Sequence, residues 1–176
     1  LEGGVVDAGA GDGGLAVVTP RAGSGLAFRP VFVGHRQEHQ TCEIRAVVDA
    51  SQGVGGLAVR YDEEFHYEVE AAGGRVTARA VIPGFVRESS VEVGDGPVTL
   101  VVPSAVPAAK GLGHPSSDVV SLGVVDSDGG VRVLEEVDAR YLSNEVAASF
   151  TGRVFGVYAT EGTVAVDRID YHGDNS

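Results

Sequence analysis

The sequence predicts an all-β chain: an antiparallel two-sheet β-sandwich or jelly roll. Three observations carry this. Apolar residues recur at every second position, the period of a strand with one buried face. At least ten such runs follow one another, each short, which is the spacing of sandwiches and jelly rolls. Gly makes up 26 of 176 residues, roughly twice the usual share, and many hairpins need many glycines.

The runs follow in order. In 41–49, Cys42, Ile44, Ala46 and Val48 take one face while Glu43 and Arg45 take the other. A second run is 57–61. Next, Phe65, Tyr67 and Val69 alternate with His66, Glu68 and Glu70. Gly73-Gly74 then gives a two-residue hairpin signal. Val76, Ala78, Ala80 and Ile82 alternate with Arg75, Thr77 and Arg79. Further strands are expected at 85–91, 98–102, 118–125, 131–137, 153–160 and 163–171. Asp126-Ser127-Asp128-Gly129-Gly130 and Glu161-Gly162 read as the turns between the last pairs. The stretch 103–117 holds three Pro and reads as a long loop. Only 143–148 looks helical, for a turn or so, with Ser143 as its N-cap. One domain is expected over 13–173, between a flexible linker at 1–12 and a short tail at 174–176.

Composition narrows the function classes. Thirteen basic residues against 25 acidic ones give a net charge of −12, and only one of the basic residues is Lys. No basic stripe is present to displace counterions from phosphates, so nucleic acid is not an expected partner. No apolar run has the length of a membrane-spanning helix, so a membrane is not expected either. One Cys makes no internal disulfide and no Cys-based zinc site. Cys42, on the apolar face of its run, is compatible with a cytoplasmic location. The chain opens Leu1-Glu2-Gly3-Gly4 and contains no Met, which reads as a piece of a longer protein.

Candidate chemistry is sparse. His35-Arg36-Gln37-Glu38-His39 fits H-x-x-E-H, a zinc-peptidase pattern that requires a helix to bring both His to one face. Gly34 before it and the alternating run from Thr41 after it argue for a loop or strand start instead. Asp126-Ser127-Asp128-Gly129 opens like a calcium loop, but Val137 stands where the closing Glu belongs. The glycines of 9–14 do not join a strand to a helix, so they are not a phosphate cradle. Glu43, Glu68, Glu70, Glu88 and Glu92 alternate with apolar residues and read as a solvated sheet face rather than a glycosidase pair. No nucleophile motif is present, and no metal or other cofactor is expected. Phe65, Tyr67, Phe155 and Tyr158 read as core, and the chain has no Trp to stack sugars.

Two stretches carry more. One runs from Phe32-Val33-Gly34-His35-Arg36-Gln37-Glu38-His39 through Gly56-Leu57 to Phe65-His66-Tyr67. The other is Asp138-Ala139-Arg140-Tyr141-Leu142-Ser143-Asn144-Glu145-Val146-Ala147-Ala148-Ser149-Phe150-Thr151-Gly152, continuing to Ala159. Both resemble the C-terminal domain of β-xylosidases and α-arabinofuranosidases of glycoside hydrolase family forty-three. His35 stands where that family usually has Arg, and Ala148-Ser149 where it has Gly-Gly. The resemblance implies a concanavalin A-like jelly roll of two antiparallel sheets. It implies that the catalytic carboxylates belong to a separate N-terminal propeller absent from this chain, so that the chain alone is no enzyme. The propeller would then be its partner in cis. The domain would help wall the parent's active site around short xylo- or arabino-oligosaccharides, with Phe150 as the pocket-wall aromatic. Arg36, Arg140, Asp138 and Glu145 would anchor loops or contact the propeller. The rival reading is an independent carbohydrate-binding or lectin-like module, since one fold hosts many functions.

Overall fold

The computed structural model describes residues 6–8, 16–18, 31–107, 118–143 and 152–174. Eleven antiparallel strands make up nearly all of it: β1 (Val6–Ala8), β2 (Ala16–Val18), β3 (Val31–Arg36), β4 (Thr41–Arg60), β5 (His66–Ala72), β6 (Arg75–Ile82), β7 (Phe85–Glu92), β8 (Val98–Ala105), β9 (Val119–Val125), β10 (Val131–Asp138) and β11 (Val154–Asp174). A single 3-10 turn, Ala139–Leu142, follows β10.

Two strands organise the rest. β4 and β11 pair along almost their whole lengths, from Val154 opposite Arg60 to Asp174 opposite Thr41. The second half of β4 pairs onward with β5, then β6 and β7, while β3 flanks the first half of β11. This is one layer. The first half of β4 pairs with β8, which leads to β9 and β10, while β2 and β1 extend from β11. This is the other layer. Between them lies one apolar core, with Leu57, Val69, Val76 and Ala78 from the first layer and Leu100, Val102, Leu122 and Val124 from the second. Each fully buried Val or Leu contributes roughly 1.5–3 kcal/mol.

The all-β sandwich is thus as expected, but its longest strands differ from the expected ones. The runs at 41–49 and 57–61 are one strand, and so are those at 153–160 and 163–171. Glu161-Gly162 is accordingly not a turn. Gly162 lies opposite Gly53 within the ladder, at φ +59°, with register shifts on either side of it. Bulges of this kind bend a strand sharply, and here they carry both strands from one layer to the other. Glycine permits the bend: a Cβ on Gly55 would overlap the Tyr158 carbonyl oxygen, and one on Gly56 that of Val69. The glycine excess is therefore not only turn chemistry.

The expected turns at Gly73-Gly74 and Asp126–Gly130 are present. Gly73 and Gly74 have φ +53° and +77°, the left-handed pair of a tight hairpin. Asp126 N–H donates to Gly130 O at 2.8 Å, and the Asp128 carboxylate accepts from Gly130 N at 2.9 Å, so that acid holds a hairpin. The loop expected from 103 onward starts later, because Pro103 lies within β8. The ladder between β8 and β9 skips Val102 and Pro103, where a proline has no N–H to give. Residues 108–117 lie outside the described residues.

The loop-bearing end as candidate functional site

At one end of the sandwich, β3, β9, β10 and β11 meet the 3-10 turn. Asp138 caps that turn, its carboxylate accepting from Arg140 N at 2.9 Å. Arg140 folds back on the same carboxylate, Nε at 2.9 Å and Nη2 at 2.6 Å from Oδ2, and these hydrogen bonds raise its pKa above the ordinary value. Arg140 is well exposed, so the pair shapes the turn more than it stabilises the fold. Below it, the Tyr67 hydroxyl donates to Asp138 O at 2.7 Å, tying the turn to β5. Burial, with the Asp138 charge adding to it, pushes that hydroxyl far above the usual tyrosine range. Ser143 ends the turn in extended backbone, its hydroxyl donating to Arg140 O at 2.6 Å.

Arg153, just before β11, is the hub. Its Nε donates to Leu142 O at 3.0 Å, and its Nη1 lies 3.3 Å from Asp118 Oδ2. Its own carbonyl accepts from Gln37 N at 2.9 Å, and Asp118 O accepts from Ala139 N at 2.9 Å. One residue thus joins the start of β11, the end of the 3-10 turn, the residue before β9 and the segment after β3. Arg153 and Asp118 line a shallow polar hollow with Gln37, Glu38, His39 and Gln40. Tyr171 holds the backbone of that segment in place. Its hydroxyl accepts from the backbone N–H groups of Glu38 and His39 at 3.3 and 3.2 Å and lies 3.0 Å from His39 Nδ1. Burial raises the pKa of Tyr171, and that of Cys42 beside it.

Of the candidate residues from the sequence, the described ones, Arg36, Asp138 and Arg140, lie around this end. Asp138 and Arg140 pair as described. Arg36 is exposed at the end of β3, opposite Val154, with no hydrogen bond or ion pair to another described residue. Phe150 and Glu145 lie outside the described residues. In the H-x-x-E-H stretch, His35 sits in a strand and His39 in the segment after it, so no helix face joins them. His35 Nε2 and Glu38 Oε1 lie 3.8 Å apart at the surface, while His39 packs on Tyr171. Arg153 was not among the candidates. Its place within the second stretch, directly after Gly152, is the local signal, and Asp118 and Gln37 are remote in sequence.

The acidic face needs a correction. Glu68 is only 7 % exposed, not solvated, on the face of β5 away from the core. Arg79 on β6 bridges Glu68 and also reaches Glu88 at 2.8 Å and Glu70 at 3.6 Å. Tyr158 is buried on this same face rather than in the core, its hydroxyl donating to Glu70 at 3.4 Å. Burial raises the Glu70 pKa, against the pull of Arg79. The arrangement is an ion-pair network built around one guanidinium.

Comparison with known proteins agrees with this architecture. The family model for the β-xylosidase C-terminal concanavalin A-like domain matches residues 10–172. Among solved structures, Bacteroides ovatus Xyloglucan PUL GH43B superposes with a TM-score of 0.73 at 20% identity, over 92% of this chain and 33% of that one. A xylan β-1,4-xylosidase from Bacillus halodurans superposes with a TM-score of 0.68 at 16% identity, over 89% of this chain and 32% of that one. A bifunctional GH43-CE protein of Bacteroides eggerthii gives 0.68 at 13% identity, over 97% of this chain and 22% of that one. The chain thus spans a third or less of these structures. No curated protein matches the chain.

Proposed function

The chain belongs to the β-xylosidase C-terminal concanavalin A-like domain family, and from that membership we propose that it is the non-catalytic accessory domain of a family forty-three glycoside hydrolase. In this reading it packs in cis on a catalytic propeller. Its loop-bearing end helps wall the active site around short xylo- or arabino-oligosaccharides, with Phe150 as the aromatic of the wall. Arg36, Arg140, Asp138 and Glu145 anchor the loops or meet the propeller.

The observation that carries the reading is the family match over 10–172, on a chain one-third the length of the structures it superposes on. The geometry supports it. Four chain segments at one end are tied together through Arg153, which gives a wall a stiff base. Walling a sugar pocket excludes water and strengthens the electrostatics inside it, which favours hydrolysis at the parent's carboxylates. Phe150→Ala in the full-length protein tests this, assayed on an aryl β-xyloside beside the isolated chain. We expect kcat/KM to fall about tenfold on loss of an ordered pocket wall, with an unchanged melting temperature, and the isolated chain to be inert. Hydrolysis by the isolated chain would overturn the accessory role. Micromolar binding of xylo-oligosaccharide to it would favour a carbohydrate-binding module instead.

A further inference from the structure

We propose that Arg36 and Arg60 form a binding site for a carboxylated sugar, a uronic acid unit of a saccharide. The sugar rests on the glycoside hydrolase reading above; the carboxylate rests on the two guanidiniums. The chain carries 25 acidic residues, and every other arginine among the described residues pairs with one of them. Arg36 and Arg60 have no carboxylate partner among the described residues. They are also neighbours. Both lie opposite Val154, Arg36 from β3 and Arg60 from β4, so they share the face of the first layer away from the core, about 10 Å apart across β11.

The backbone beside them is bare. On this face Phe32, Gly34 and Arg36 of β3 lie opposite Tyr158, Gly156 and Val154 of β11. A Cβ on Gly34 would stand 2.5 Å from Phe32 Cε1, and one on Gly156 2.2 Å from Val33 O. The Phe32 ring therefore leans over Gly34, two residues from Arg36. Arg60 reaches across β11 to that ring, its Cζ 4.8 Å from the centroid, and this carries its guanidinium toward Arg36. The ring meets the face of the guanidinium but accepts none of its in-plane N–H donors. Arg60 Nε is buried without a hydrogen-bond partner. The rest of the face offers no acceptor: Glu68, Glu70 and Glu88 are held by Arg79, and His66, opposite Arg60 on β5, is itself a base. A carboxylate supplies what is missing, since its two oxygens accept charge-assisted hydrogen bonds from planar guanidinium forks.

The test is a titration of the chain followed by NMR at the arginine Nε–Hε groups, with glucuronate, glucose and acetate as probes. Glucuronate is expected to shift the Arg60 signal and to saturate in the millimolar range. Glucose has the ring without the carboxylate and is expected to leave the signal in place, while acetate is expected to bind about tenfold more weakly for want of the sugar hydroxyls. Arg60→Gln and Arg36→Gln are each expected to weaken glucuronate at least about tenfold through loss of charge-assisted hydrogen bonds. Arg36 is exposed at the end of its strand, so its variant reads the site even where Arg60→Gln does not fold. The absence of a saturable shift, unchanged affinity in Arg36→Gln, or acetate binding as tightly as glucuronate would overturn the site. The same titration of the full-length protein is expected to give the same shift. A signal that no longer responds there would mean that the propeller fills the site, which overturns the sugar assignment. Hydrolysis of an aryl β-xyloside by the isolated chain would instead unseat the accessory-domain reading and leave the titration as it stands.

Discussion

His66 shows how one side chain ties stability to pH. It lies beside Glu68, its Nε2 3.7 Å from the carboxylate, with 14% of the side chain exposed. Burial lowers its pKa below the ordinary value, and this outweighs the pull of Glu68. In the unfolded chain the imidazole takes up a proton near pH 6.5. The native state takes it up only at lower pH, so the unfolded state binds more protons in between. Stability from this group is therefore fully present above pH 6.5 and lost as pH falls below it. The melting temperature is expected to drop between pH 7.5 and 5.5, and His66→Gln is expected to flatten that part of the profile. An equal slope in the variant would assign the dependence elsewhere. Alternation in the sequence put His66, Glu68 and Glu70 on one face correctly. It did not show that Glu68 is covered, because cover comes from Arg79 across the sheet and Tyr158 two strands away.

At the scale of the element, β4 shows why glycines were read only in part. Gly73-Gly74 was legible as a hairpin because it separates two alternating runs. Gly53, Gly55 and Gly56 have the same local look, yet they lie inside a strand. What marks them is the backbone of β11 and β5 passing against them, which is invisible without the partner strands. Two substitutions separate these roles. Gly56→Ala would drive its Cβ onto the Val69 carbonyl oxygen. Gly84→Ala meets nothing within 4 Å and pays only for φ +78°. In urea melts we expect Gly84→Ala to cost about 1–2 kcal/mol. Gly56→Ala is expected to cost more, about 3 kcal/mol or above, from overpacking and backbone displacement. Equal losses would show that the bend tolerates a side chain. Arg153 was illegible for a related reason: a charged residue before a strand looks ordinary until Asp118 and Leu142 are brought to it.

In the molecule as a whole, β11 is the last described element and belongs to both layers. Its partner β4 begins more than a hundred residues earlier, at Thr41 opposite Asp174. Such pairing is strongly non-local and slow to form, because the intervening chain must close before the contact stabilises. A chain ending at residue 152 loses a central strand from each layer. It is expected to show no cooperative urea transition, and a sigmoidal transition like that of the full chain would contradict the shared-strand architecture. The sandwich class was legible throughout in the period of two, but that two strands serve both layers was not, since a bulge and a turn share the same glycine. The uninterrupted ribbon of β4 and β11 also has a mechanical consequence. Ordinary sandwich layers are held face to face by side chains and can slide. Here a covalent two-ply strap crosses from one to the other, so shear between the layers has to stretch backbone. A load applied where Arg153 sits is carried along the strap to its far end, and the domain behaves as a stiff bracket rather than a cushion.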